Sequence, residues 1–387
     1  MRLLVIGINI RHIAASASRA GHRVYAADGY CDRDLSRWAE ETALLPRQGA
    51  EQAIPLFIER FSPDAVVLGS GLEEASVSGV PVLNNPPART SQVSDKLWLA
   101  NWLEKNGFPL IRTLSGEAAA SALDSGGLTY PFLVKPRKGA GGVGCGIVKS
   151  PHDLPLTLPS PMPQDTANGI AEMIAQELVS GRPASVSVIG NGREARAIAV
   201  NEQLIGLSWA GGKGFRYCGN ITPLEQCDNA GLASMAEEIV AGLGLVGSNG
   251  VDFMITEKGP RVLEVNCRFQ GSLDPVEMAT GGNVFSAHLQ AFSGELPGPL
   301  VPPERTAGRT IVYPPGDLTV KADLCRDWSQ DVPAMGSRIM ADEPLLSITA
   351  QGRNRGQVLA MLQSRAGKML RLAGCRSWDR GISAKIE

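Results

Sequence analysis

Two carboxylates and an amide, Asp252, Glu264 and Asn266, stand close together in a stretch that reads GVDFMITEKGPRVLEVNCRF from Gly250 to Phe269, and Arg268 follows them. Glu264 and Asn266 are at i and i+2, hence on one face of a strand, and Arg268 continues that face. Oxygen ligands of this kind suit a hard divalent cation that keeps water and bridges phosphate oxygens. With a guanidinium beside it, such an ion supplies what phosphoryl transfer needs, because that chemistry is mostly positioning and neutralisation of charge. A plain amphipathic hairpin whose polar face meets solvent is the competing reading of the same residues.

A second group lies upstream, in LTYPFLVKPRKGAGGVGCGIV from Leu128 to Val148. Lys135 closes an apolar strand, a glycine-rich loop with Gly141 and Gly142 runs from Lys138 to Gly146, and a second strand follows. Strand, glycine loop, strand is the pattern of a flap over phosphates: glycines let backbone N–H groups approach the oxygens, and Lys135 and Lys138 add charge. It is not a GxxxxGK[ST] loop, and no helix follows it; a mobile hairpin tip is the alternative. Further on, Gln176, Glu177, Leu178 and Val179 resemble a hinge that meets an adenine edge with backbone groups.

These residues need elements to hold them. In the hairpin, Val251, Phe253 and Ile255 alternate with Asp252 and Met254, Glu257 to Pro260 supply a turn, and Val262, Leu263 and Val265 resume an apolar run. A single helix is expected from Ser91, with Lys96 near its start and Gly107 as its stop. The N-terminal part reads strand (Arg2 to Ile8), helix, strand (Arg23 to Ala27), later a helix over 50–61 and strands at Pro63 to Gly69 and Val80 to Leu83. It lacks the GxGxxG spacing of a dinucleotide site. Asn9, Arg11 and Asp28 stand at the carboxyl ends of its strands, where ligands of open α/β sheets bind, or else they brace the turns.

Residues 151–168 are a Pro- and Ser-rich excursion, followed by a short helix. Strands are expected at Ser185 to Ile189, Ala195 to Val200 and Leu204 to Leu207, then a ligand-facing loop from Gly211 to Pro223 in which Lys213 and Arg216 could anchor a substrate. A helix, Leu232 to Leu243, precedes the hairpin, and another, Asn283 to Ser293, comes after it. Beyond Pro297 the composition turns β-rich, closing with a helix from Arg355 to Leu372. The expected domains are 1–89, 90–297 with a flap subdomain at about 110–180, and 298–387.

With 387 residues the chain exceeds one ordinary core, and 43% hydrophobic with 20% charged residues describes a soluble globular protein. A net charge of −2 argues against nucleic acid or an anionic membrane as partner. No apolar run reaches the ~20 residues of a membrane span. The seven cysteines are scattered and never spaced CxxC, which disfavours a zinc site or disulfide framework and points to the cytoplasm.

Taken in order, Lys96, Lys135, the glycine loop, Gln176 to Val179, Asp252, Glu264-Val265-Asn266 and Arg268 resemble the ATP-grasp superfamily over roughly residues 90 to 295. Within it the chain is most similar to the carboxylate–amine ligases related to biotin carboxylase, a group that includes tyramine–glutamate ligase. The resemblance implies an α/β fold, α+β in its central part, with a Rossmann-like half-domain in front and a small β-rich domain behind. It implies ATP and Mg2+ (or Mn2+) as cofactors and small-molecule carboxylate and amine substrates; relatives often form homodimers. An acid is phosphorylated, and the amine displaces phosphate from the acylphosphate.

By the same resemblance, Lys96, Lys135 and Lys138 with Gly141 and Gly142 hold phosphates, and Gln176, Glu177, Leu178 and Val179 receive adenine. Asp252, Glu264 and Asn266 surround the metal, and Arg268 and Lys135 serve catalysis. Two departures stand out: no carboxylate follows the hinge to hold ribose, where the chain reads Ser180-Gly181-Arg182-Pro183-Ala184, and Asn249-Gly250 replaces an Arg that some relatives carry. A bicarbonate-activating carboxylase and a non-catalytic nucleotide-binding protein are the alternatives.

Overall fold

The computed structural model describes residues 1–124, 126–139, 141–142, 144–153 and 172–375. Leu3, Leu4, Val5 and Ile6 are all fully buried, as a strand covered on both faces requires, and they form β1 (Arg2–Gly7). It is followed by α1 (Arg11–Arg19), β2 (Arg23–Asp28), β3 (Glu41–Leu44), α2 (Ala50–Phe61) and β4 (Ala65–Leu68). The four strands make a parallel sheet in the order β3-β2-β1-β4. The strand expected at Val80 to Leu83 reduces to one parallel bridge between Val66 and Val82.

Where one helix was expected from Ser91 there are two, α3 (Pro87–Ser94) and α4 (Lys96–Lys105). The break is Asp95. Its backbone is extended, and its carboxylate accepts hydrogen bonds from the N–H groups of Leu97 and Trp98, capping α4. The flap sheet comes next: β5 (Thr113–Ser115), α5 (Gly116–Asp124), β6 (Phe132–Pro136), β7 (Gly146–Val148) and β8 (Met173–Glu177), ordered β5-β8-β6-β7 and antiparallel throughout. From residue 154 on, the excursion and the short helix expected after it lie outside the described residues.

The remaining elements are β9 (Arg182–Asn191), β10 (Ala195–Ile205), β11 (Tyr217–Thr222), α6 (Asn229–Gly242), β12 (Val246–Thr256), β13 (Gly259–Asn266), α7 (Leu273–Thr280) and α8 (Val284–Phe292). The C-terminal part adds β14 (Thr306–Val312), β15 (Leu318–Thr319), β16 (Ser329–Gln330), β17 (Arg338–Ile339), β18 (Leu346–Gly352) and α9 (Arg355–Leu372). Eight of these strands form one sheet, β13-β12-β9-β10-β11-β14-β18-β16. The C-terminal strands therefore extend the central sheet, through β14 paired with β11. Two expectations give way here. The two strands foreseen between Ala195 and Leu207 are one, β10. The loop foreseen from Gly211 to Pro223 ends in β11, because Cys218 and Ile221 are drawn into the core beneath α9.

The central sheet has unlike faces. Val186, Val188, Val251, Phe253, Val262 and Val265 pack against Leu99 and Leu103 of α4 and Ala236 and Ile239 of α6. Strand alternation puts Ser185, Gln203, Asp252 and Met254 on the opposite side, where they line a large cavity. No described helix is long and apolar enough to cross a membrane.

Candidate active site

The cavity encloses about 880 Å³ between the flap sheet, the β12–β13 hairpin and the loops that follow β1 and β2. Asp252 pairs with Glu264 and Gly250 with Asn266 across the hairpin, but the next pair is Phe253 with Val262. Leu263 is thus the extra residue of a β-bulge. The bulge lets Val262 and Val265 both enter the core while Leu263 and Glu264 both line the cavity, so Leu263 leaves the apolar run in which the sequence placed it.

Burial, and after it the neighbouring Glu264 carboxylate, pushes the Asp252 pKa well above the usual carboxylate range. Facing this pair are two lysines. Lys135, at the end of β6, is only 9% exposed; burial lowers its pKa, Glu264 opposes that shift, and Lys96 adds to it. Lys96 Nζ lies 4.0 Å from Glu264 Oε2 and donates to the Gly139 carbonyl of the flap at 2.7 Å. The N-terminus of α4 is fastened to the flap by the ion pair of Arg137 with Asp95 and by the Lys96 N–H, which donates to the Arg137 carbonyl. That contact is what brings Lys96 beside Lys135.

Asn266 Nδ2 donates to Asp252 Oδ2 at 3.3 Å, and Arg268 Nη2 donates to Asn266 Oδ1 at 3.2 Å. Arg268 Nε also pairs with Glu73 Oε1 at 2.8 Å, a partner outside the hairpin. Two carboxylates held opposite one another, one of them deeply buried, repel unless a cation stands between them. With oxygen donors only, the set fits magnesium or manganese, and so small a donor set leaves the ion open positions for water and phosphate.

On the flap, Gly141 and Gly142 take φ values of +70° and +78° and line the cavity, and a Cβ on Gly142 would meet the Phe215 carbonyl oxygen at 2.4 Å. Lys138 also lines the cavity, yet its ammonium group is held by Glu74 at 2.9 Å and Ser91 at 2.7 Å. At the hinge, Gln176 Nε2 donates to Thr113 Oγ1 at 2.8 Å and the Glu177 N–H to the Arg112 carbonyl at 3.0 Å. Leu178 and Val179 lie past the last ladder pair, Phe132 with Glu177, and line the cavity beside Ile111, Leu133, Met254 and Leu263. An apolar slot of this kind, edged by backbone, is able to hold a flat heterocycle.

Residues 93–272 match the family model described as ATP-grasp domain. They are an ATP-grasp domain. An uncharacterized protein of Methanocaldococcus jannaschii is 24% identical over 372 residues, covering 91% of this chain and 88% of that protein. A D-alanine–D-alanine ligase of Geobacter sulfurreducens is 26% identical over 263 residues, covering 66% of this chain and 79% of its own. Among solved structures, a biotin carboxylase from Campylobacter jejuni superposes with a TM-score of 0.75 at 15% identity, covering 98% of this chain and 96% of that one. An L-amino acid ligase from Bacillus licheniformis does so with a TM-score of 0.68 at 19% identity, covering 94% and 96%. The fold is accordingly the α/β ATP-grasp fold with the N-terminal half-domain that the sequence led us to expect.

Around the ATP-grasp domain, the candidate substrate anchors fare unequally. Asn9 lines the cavity. Arg11 does not: it is 2% exposed and locked to Asp274, to Asp331 at 3.1 Å and to Gln330 at 3.0 Å, which makes it a strut between the half-domain, α7 and the C-terminal strands. Asp28 accepts from the N–H groups of Ile10, Tyr30 and Cys31, which is bracing of a turn. Lys213 and Arg216 pair with Asp342 at 3.6 and 2.9 Å, and neither lines the cavity. The loop charges therefore hold the C-terminal segment.

Sequence reasoning missed other lining residues: His12, Tyr30 and Asp32 of the half-domain, Gln203 and Tyr217 of the ATP-grasp domain, and Arg309 and Tyr313 beyond it. They come from separate elements and form no local pattern. The one available signal was the alternation of polar and apolar residues along β10 and β11.

Proposed function

We propose that the chain is an ATP- and magnesium-dependent ligase that activates a carboxylate as an acylphosphate and joins it to an amine. The observation that carries this reading is the meeting of Lys96 and Lys135 with Asp252 and Glu264 in one cavity that Gly141 and Gly142 of the flap also line. On this reading Lys96, Lys135 and the two glycines bind the phosphates, Lys138 fastens the flap to the half-domain, and the slot from Gln176 to Val179 receives adenine. Asp252, Glu264 and Asn266 hold Mg2+ (or Mn2+), which supplies neutralisation of phosphoryl charge. Arg268 orients Asn266 and reaches the phosphoryl group being transferred, with Lys135 beside it.

Relatives named as D-alanine–D-alanine ligase and L-amino acid ligase support the ligase class. A 2-oxoglutarate carboxylase domain from Hydrogenobacter thermophilus, whose structure is described as a dimer with MgADP and bicarbonate, shares the fold at a TM-score of 0.73 and supports the nucleotide, the metal and a homodimer. Seven cysteines without a disulfide fit the reducing cytoplasm.

The test is ADP release from Mg·ATP with mixtures of acids and amines, with mass spectrometry of the products. Release that needs both an acid and an amine, with a condensed product, is expected. ATP binding without substrate-stimulated turnover would mean a sensor, and stimulation by bicarbonate alone would mean a carboxylase.

A further inference from the structure

Away from the hairpin and flap, the cavity continues between the half-domain and the C-terminal strands. Two exposed large apolar side chains, Ile8 at 47% and Tyr30 at 39%, line it there, as does Tyr313. Between these walls stands Asp32. It lines the cavity, and its side chain makes no hydrogen bond or ion pair among the described residues, while the charges that act on it most are Asp331, Asp28 and Asp34 against Arg11. Burial and those carboxylates push its pKa up to about 8. The largest contributions come from burial, the half-domain and Asp331, not from the hairpin or the flap lysines.

A second polar group points the same way. His12 lines the cavity at 7% exposure, and its Nδ1 is buried without a partner. Burial lowers its pKa to about 3, so the ring is neutral and able to exchange a hydrogen bond with a ligand. Among the described residues the guanidinium lining this end is Arg309, whose Nη atoms are engaged by Asp331 at 2.6 Å, Ser347 at 2.7 Å and the Gly271 carbonyl at 3.3 Å, while its Nε lies 3.7 Å from Asp274. A carboxylate arriving at this end meets acidic neighbours; a cation meets the unpartnered Asp32 carboxyl, whose proton it would displace on binding.

We propose that the amine substrate carries a second positive charge at the end remote from its reacting nitrogen, held at Asp32, with an apolar chain lying along Ile8, Tyr30 and Tyr313. This rests on the ligase reading for the role of the bound molecule, but not for its binding. A diamine fits, and an amino acid that would place its carboxylate at this end does not.

Titration calorimetry on the full chain, with Mg2+ and a non-hydrolysable ATP analogue, compares cadaverine, hexylamine and ε-aminocaproate, whose far ends are positive, neutral and negative. Cadaverine is expected to bind at least tenfold more tightly than hexylamine, and ε-aminocaproate most weakly. Asp32→Asn should abolish the advantage of cadaverine over hexylamine and leave the affinity for the ATP analogue unchanged. Equal affinities, preference for ε-aminocaproate, no binding of any of the three, or an Asp32→Asn variant that folds and keeps the preference would overturn the proposal. The wild-type ranking stands even if the variant does not fold. Cadaverine binding with no ADP release in any mixture would sink the ligase reading alone, whereas ligation of amino acids with no preference for diamines would sink this proposal alone.

Discussion

Replacing Lys135 by Ala removes an ammonium group that the fold keeps buried against its own solvation. Burial lowers the Lys135 pKa and Lys96 lowers it further, with only Glu264 opposing, so the free protein gains little from the charge. A nucleotide polyphosphate gains more, since a charge-assisted hydrogen bond is worth ~1.5 to 3 kcal/mol. At 1.4 kcal/mol per tenfold, the ATP analogue should bind roughly 10- to 150-fold more weakly. Calorimetry measures this, with adenosine as control: adenosine affinity should not change, because the adenine slot at Leu178 and Val179 is intact. Lys135→Met keeps the chain packed and removes only charge, and it should show the same loss. Equal affinity of wild type and both variants for the ATP analogue would refute a phosphate-facing role for Lys135.

Glu264→Gln should leave the fold intact and remove turnover, because one of the two charges opposing the cation is lost; unchanged ADP release would refute the metal assignment. Arg11→Ala should destabilise the chain by ~3 to 5 kcal/mol in urea unfolding, since the buried Asp274 and Asp331 would share the single remaining guanidinium of Arg309; a loss below about 1 kcal/mol would show that Arg11 is no strut. The Asp32 carboxyl has a folded pKa of about 8 against 3.8 for an ordinary aspartate, so the folded state binds the extra proton and stability falls as pH rises between those values. Asp32→Asn should therefore be more stable than wild type above pH 8, by ~1 to 3 kcal/mol, with the difference vanishing toward pH 4; parallel pH–stability curves would contradict it.

The parts of this site that short-range spacing encodes were readable without coordinates. Alternation in β12 separates Asp252 from Val251 and Phe253, the i and i+2 spacing joins Glu264 to Asn266, and the glycines between Lys138 and Gly146 mark the flap. What escaped depends on contacts between distant segments. Arg11 is a strand-end cation by position, and only its partners, more than 260 residues away, show that it braces domains. The pairing of β11 with β14 turns an apparent separate tail into sheet and brings Arg309 and Tyr313 to the cavity. Asp95 ends one helix and caps the next through its own side chain, which the continuous apolar stripe conceals. The bulge at Leu263 shifts one residue from core to cavity, and neither composition nor period marks it.

The claim on which the rest depends is that a nucleotide lies between the glycine turn of the flap and the carboxylates of the hairpin, with a divalent ion held by the latter. A crystal structure with Mn2+ and a non-hydrolysable ATP analogue tests it directly. The predicted result is an anomalous manganese peak bound to Asp252 and Glu264, phosphates at Lys96 and Lys135, and adenine against Leu178 and Val179. A nucleotide bound elsewhere, or manganese remote from both carboxylates, would contradict the account.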